Sequence, residues 1–66
     1  MQIIVNGQSR TCEAGLTLGG LLVELNLPPG RVAIEVNRQL VRRAEFGNVT
    51  LRDGDCLEIV TLVGGG

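Results

Sequence analysis

One stretch of this 66-residue chain carries helical periodicity, and it limits the fold more than any other feature. Leu18, Leu21, Leu22 and Leu25 fall at i, i+3, i+4 and i+7, which puts four leucines on a single stripe. Thr17 stands just before them, a residue type whose hydroxyl caps a helix by accepting from a first-turn amide. The stripe is too short to sustain a coiled coil, so it must be buried within its own domain. Gly19 and Gly20 cost up to about 1 kcal/mol each relative to alanine. Helical spacing puts them opposite the stripe, where small residues sacrifice no core packing. Leu27-Pro28-Pro29-Gly30 is expected to end the helix, because proline lacks an amide hydrogen and clashes with a continuing turn.

The remaining apolar runs have strand character. Ile3-Ile4-Val5 is β-branched, and Asn6-Gly7 after it is a strong tight-hairpin signal, since both central residues of that turn need positive φ. Gln8 to Cys12 returns as a more polar strand. Val32, Ile34 and Val36 alternate with Ala33 and Glu35, as a half-buried strand does. Asn37-Arg38 turns the chain into a brief extended piece at Leu40-Val41. Arg42 to Asn48 is irregular, with one helical turn near Ala44-Glu45-Phe46. Val49-Thr50-Leu51 leads to the turn Asp53-Gly54. Leu57 and Ile59, and Thr61 if the strand extends that far, then alternate with Cys56, Glu58 and Val60 in a last strand that places Leu57 and Ile59 in the core and Glu58 outward. One amphipathic helix on one mixed sheet gives a two-layer α+β domain. Residues 1–63 form this domain and 64–66 a flexible glycine tail.

Composition excludes several functions. A domain of this size buries only about 60% of its unfolded surface, yet 44% of its residues are hydrophobic, enough for one core. Net charge is −1, Phe46 is the one aromatic, and no basic tract is present, so nucleic-acid binding is not expected. No apolar run is long enough to span a membrane and no secretory signal is visible, so a cytoplasmic protein is expected. All six basic residues are arginine. That pattern fits either a chain unable to accept an isopeptide bond or simple codon bias. Histidine is absent, and Cys12 and Cys56 are far apart in sequence. Neither a thiolate–imidazole pair nor a close-spaced metal motif is available, so no catalytic residues and no metal ligands are assigned. Both cysteines read as small packing residues, with a persulfide-carrying role as the alternative.

The chain stops at Gly64-Gly65-Gly66, directly after the last strand. Glycine lets a backbone lie in a channel too narrow for side chains. Four residues, Val63 to Gly66, reach about 13–14 Å when extended. A carboxylate at such a tip is suited to capture by a partner. A frayed terminus or an added scar has the same composition.

The element order resembles that of the ubiquitin-like β-grasp family, and within it the ThiS family of sulfur carriers of thiamine biosynthesis. The resemblance is carried by Met1–Gly7 (MQIIVNG), Thr17–Leu25, Val32–Asn37 (VAIEVN) and Leu40–Phe46 (LVRRAEF). Its most specific part is Asp53–Gly66 (DGDCLEIVTLVGGG). Phe46, Cys56 and Arg42 depart from residues common in that family, where tryptophan, a charged residue and proline are frequent.

The resemblance implies a carrier and not an enzyme. It binds no cofactor itself. A ThiF-like adenylyltransferase, similar to ubiquitin-activating enzymes, uses ATP and Mg2+ on the terminal carboxylate of Gly66. A sulfur donor fed by a desulfurase then converts that carboxylate to a thiocarboxylate. A ThiG-like thiazole synthase takes the sulfur into the thiazole ring. Gly64 and Gly65 form the slim thread in the partner channel. The expected docking face is the open sheet face beside the last strand, with Arg43 and Glu58 as rim charges. A carrier resembling the small subunit of molybdopterin synthase, or a ubiquitin-like protein modifier, are the alternatives.

Overall fold

The computed structural model describes residues 1–62. Five strands form one sheet: β1 (Gln2–Val5), β2 (Gln8–Thr11), β3 (Val32–Val36), β4 (Gln39–Val41) and β5 (Cys56–Thr61). Their spatial order is β2-β1-β5-β3-β4. β5 runs parallel to β1 and antiparallel to β3, so the sheet is mixed as expected. The one α-helix among the described residues, α1 (Leu18–Glu24), is packed on it. Short 3₁₀ helices at Pro29–Arg31 and Arg43–Asn48 complete the order. This is the ubiquitin-like β-grasp layout. Val63 and the proposed tail, Gly64 to Gly66, lie outside the described residues.

The leucine stripe is core. Leu18, Leu21 and Leu22 are fully buried, and Leu25 packs at the edge. They meet Ile3, Val32, Ile34, Leu57 and Ile59 from the sheet, with Phe46 and Leu51 closing the side. Thr17 caps α1 as read, its Oγ1 accepting from the Gly20 amide at 3.0 Å. The same residue bridges to Thr50, while the Leu18 amide donates to the Val49 carbonyl at 2.9 Å. The helix start is thereby tied to the segment that precedes β5. Thr61, at the end of the alternation, is exposed and lines an open depression beside Leu25 and Leu27.

Two expectations about the helix are corrected. It stops at Glu24, before the prolines are reached. Asn26 takes φ +57°, its amide donates to Val23 at 3.1 Å, and the Leu27 amide donates to Leu22 at 2.9 Å. That paired arrangement is a Schellman cap, with asparagine in the place usually held by glycine. Pro28 and Pro29 lead instead into the 3₁₀ turn, where the fixed φ of proline fits. Gly19 and Gly20 do not lie on an empty face either. A Cβ on Gly19 would sit 3.6 Å from Gly47 Cα and from the Phe46 carbonyl oxygen. On Gly20 it would meet Leu16 Cδ1 at 2.9 Å, so Leu16 would have to move aside. The second 3₁₀ helix and Leu16 pack against this side of α1, where periodicity alone indicated that small residues sacrifice no packing.

Both hairpin turns have two central residues at positive φ: Asn6 and Gly7 at 51° and 82°, Asn37 and Arg38 at 52° and 69°. This geometry matches the right-handed twist of the strands. Arginine is poorly suited to it, since the left-handed region costs an L-residue with a Cβ about 1–2 kcal/mol. Glycine would remove that cost but add about 0.4–1 kcal/mol of unfolded-state entropy to be lost. Arg38→Gly is therefore expected to raise stability by about 0.5–1 kcal/mol, read as a higher midpoint in chemical denaturation. An unchanged or lower midpoint would show that Arg38 contributes a compensating contact.

Candidate functional site: the last strand and the open face of the sheet

The candidate site is what β5 carries, so its placement comes first. Between its two neighbours, β5 has few backbone partners to spare. Ile4 donates to the Asp55 carbonyl at 2.8 Å and Asn6 to the Leu57 carbonyl at 2.9 Å. β1 then ends in its turn, but its ladder continues through a side chain. The Ile59 amide donates to Asn6 Oδ1 at 2.8 Å, and Asn6 Nδ2 donates to the Ile59 carbonyl at 3.1 Å. Asn6 thus substitutes its amide group for one more residue of strand. Asn37 acts similarly from the β3 side. Its backbone amide donates to the Cys56 carbonyl at 2.7 Å, and its Oδ1 accepts from the Cys56 amide at 3.0 Å. Both asparagines sit at positive φ in hairpin turns, so each serves turn and strand together.

The Asp53-Gly54-Asp55 stretch pins the entry to β5. Asp53 Oδ1 accepts from the Gln2 amide at 2.7 Å, and the Gly54 amide donates to the Gln2 carbonyl at 2.7 Å. Asp55 accepts from the Arg52 amide at 2.8 Å and from Asn37 Nδ2 at 3.0 Å. Gly54 takes φ +87°, a value that favours glycine. All three residues are spent on positioning. At the far end, the Leu62 amide donates to the Arg31 carbonyl at 2.7 Å. The chain is therefore held, by the β3 ladder and then by Arg31 of the 3₁₀ turn before it, up to the last described residue.

Alternation along β5 buries Leu57 and Ile59 and turns Cys56, Glu58 and Val60 to the face away from α1. Ala33 and Glu35 of β3, with Leu40 of β4, join them through the cross-strand register. Leu40 is 71% exposed and Val60 57%, so the apolar side chains of this face have no layer over them. Arg43 does not pair with Glu58. Its Nη1 lies 3.2 Å from the position a Cβ on Gly30 would take. The one ion pair among the described residues is Arg10 to Glu24 at 3.2 Å. Both partners are well exposed, so it contributes little to stability.

The cysteines divide. Cys12 is buried against the core, whereas Cys56 is exposed on the open face. The expectation that both are packing residues holds for Cys12 and is corrected for Cys56, because strand alternation puts position 56 outward. Among the described residues no cluster of three metal-ligating side chains occurs, and no helix is long and apolar enough to cross a membrane. Asn6, Asn37, Asp53 and Asp55 are the positioning residues; sequence reading treated the first three only as turn formers and Asp55 only as part of the Asp53–Gly66 stretch. The available signal was the pairing of each turn with a neighbouring strand, and that pairing is not visible in linear order.

Two measurements follow from this geometry. Asn6→Gly keeps the turn and removes both side-chain bonds to Ile59. It is expected to cost about 1–2 kcal/mol and to accelerate amide exchange at Ile59 well above that at Leu57. Uniform exchange along β5 would argue against the clamp. Maleimide is expected to add once to the native protein, at Cys56, and twice after unfolding. Native labelling of Cys12 would contradict the burial described above.

Comparison with known proteins fits this architecture. The ThiS family profile matches residues 3–66. The sulfur carrier protein ThiS of Escherichia coli is 33% identical over 66 residues, covering 100% of both chains. A crystal structure of a thiamine biosynthesis protein (ThiS) from Geobacter metallireducens superposes with a TM-score of 0.85 at 32% identity, again over 100% of each chain. A thiazole synthase from Magnetococcus marinus is 44% identical over 66 residues. This chain spans only 20% of the length of that relative, and 20% of a second thiazole synthase from Paramagnetospirillum magneticum. The match runs from the first strand through Gly66, and on that basis the chain belongs to the ThiS family.

Proposed function

We propose that this chain is a sulfur carrier for thiazole formation in thiamine biosynthesis, and that Gly66 is the residue that carries the sulfur. The observation that carries the reading is the extent of the match. The family profile reaches Gly66, and the Escherichia coli sulfur carrier is covered from end to end. The names of these relatives favour the thiamine pathway over a molybdopterin carrier or a protein modifier.

The chemistry explains why a carrier of this shape needs help. A carboxylate is a poor electrophile, because its leaving group would be oxide. An adenylating enzyme of the ThiF-like class joins the Gly66 carboxylate to the α-phosphate of ATP, with Mg2+ as its metal, and releases pyrophosphate. The acyl-adenylate presents the same carbonyl with AMP as a good leaving group. A persulfide sulfur, delivered by a desulfurase system, attacks and displaces AMP. A thiol then attacks the donor's sulfur in the acyl disulfide, forming a disulfide with the donor and releasing the thiocarboxylate. Gly64 and Gly65 pass through the partner channel without side chains to obstruct it. The chain itself is a protein co-substrate in the cytoplasm: it binds no cofactor and supplies no catalytic group.

The similarity to thiazole synthases supports such an enzyme as the acceptor of the sulfur. In this reading β5 is the mount, held by Asn6 and Asn37, and the open face beside it meets the partner. Intact mass after incubation with the adenylating enzyme, ATP and a sulfur source tests the proposal. One oxygen is expected to be replaced by sulfur, with fragmentation assigning the change to Gly66. A chain lacking Gly65 and Gly66 should melt like the parent and remain unmodified. If the intact chain gains no sulfur while the enzyme modifies a control carrier, the reading fails.

A further inference from the structure

Glu35 of β3 and Glu58 of β5 are direct partners in the antiparallel register, and both are exposed. Residues so paired have Cβ atoms about 4.5–5.5 Å apart, and like charges in that position are destabilising. No arginine lies within ion-pairing distance of either carboxylate, since the single ion pair among the described residues is Arg10 to Glu24. Nor is the pair set in a polar surface. Ala33, Leu40 and Val60 line the same shallow depression as the two glutamates. Leu62, half exposed, continues the apolar surface to the point where the described chain ends.

We propose that Glu35 and Glu58 form a two-carboxylate socket for one arginine or lysine side chain of the adenylating enzyme, with Ala33, Leu40, Val60 and Leu62 making the apolar contact around it. The proposal rests on the carrier reading and specifies the partner surface. The sign of the charge selects the occupant. A second copy of this chain, docked pair against pair, would bring four carboxylates together. Nucleic acid and anionic bilayers are repelled for the same reason. A cation between the carboxylates instead turns their mutual repulsion into shared attraction. A guanidinium, with its fork of donors, is well matched to such a pair. The apolar surround excludes water on docking and strengthens the interaction. Because the socket adjoins the strand that leads to the glycines, binding there also sets the direction in which they enter the partner. The pair thus weakens the free domain and favours the complex.

The test separates the two effects. Glu58→Gln, Glu58→Arg and Glu35→Arg are compared with the parent in ATP–pyrophosphate exchange by the adenylating enzyme, alongside thermal melting. Glu58→Gln is expected to raise KM for the carrier about tenfold, and the arginine variants more, with kcat little changed. Melting temperature should rise in all three variants. The parent's KM should increase with salt, and the Glu58→Gln dependence should be shallower. A parent-like KM in these variants, or a loss confined to kcat, overturns the socket and leaves the carrier reading standing. Absence of exchange with the parent chain, on an enzyme active with a control carrier, overturns both.

Discussion

β5 forms last along the chain and lies in the middle of the sheet, and everything else depends on that placement. The β1–β2 and β3–β4 hairpins are local structures with two-residue turns. Each alone would be marginal in water. They join only through β5, which accepts β1 as a parallel neighbour and β3 as an antiparallel one. The order β2-β1-β5-β3-β4 therefore converts two weak units into one sheet, and only that sheet gives α1 a surface broad enough to cover its stripe.

The asparagines show how a short sheet meets the demands of a central strand. β1 pairs with only the first part of β5, and the turn takes it away before Ile59 is reached. A backbone group left unpaired beside the core would be costly. Asn6 satisfies both the N–H and the C=O of Ile59 from its turn position. Asn37 does comparable work at Cys56. Small domains have few residues to spare, so assigning turn and strand duties to one side chain is an economical solution. It also makes the strand that leads to the glycines among the better-anchored parts of the molecule.

That anchoring suits a carrier. In the proposed function the chemistry at Gly66 would take place in another protein's active site, and the body would deliver the end of the chain and supply binding affinity. A firmly held β5 and an uncovered apolar face with two opposed carboxylates are consistent with that division of labour. Residues that serve the fold and those that serve the partner are interleaved along the same strand. Leu57 and Ile59 face the helix, while Glu58 and Val60 face away.

Much of this was legible in the amino-acid order, because it depends on short-range patterns. The stripe from Leu18 to Leu22, the Thr17 cap, the Asn6-Gly7 turn and the alternation at 32–36 and 57–59 each express a local period or turn preference, and the structure bears them out. The glycine ending and the Asp53–Gly66 stretch carried the family resemblance. Helix termination was misread because Pro28-Pro29 is a louder signal than Asn26, although the asparagine ends the helix first. The face of α1 opposite the stripe is not bare: at Gly19 it is covered by Phe46 and Gly47, distant in sequence. Only the tertiary structure could decide which strands adjoin, and so that Asn6 and Asn37 reach β5 and that Glu35 stands across from Glu58. Periodicity is set by the backbone geometry of each element, whereas adjacency is set by how separate elements share one core.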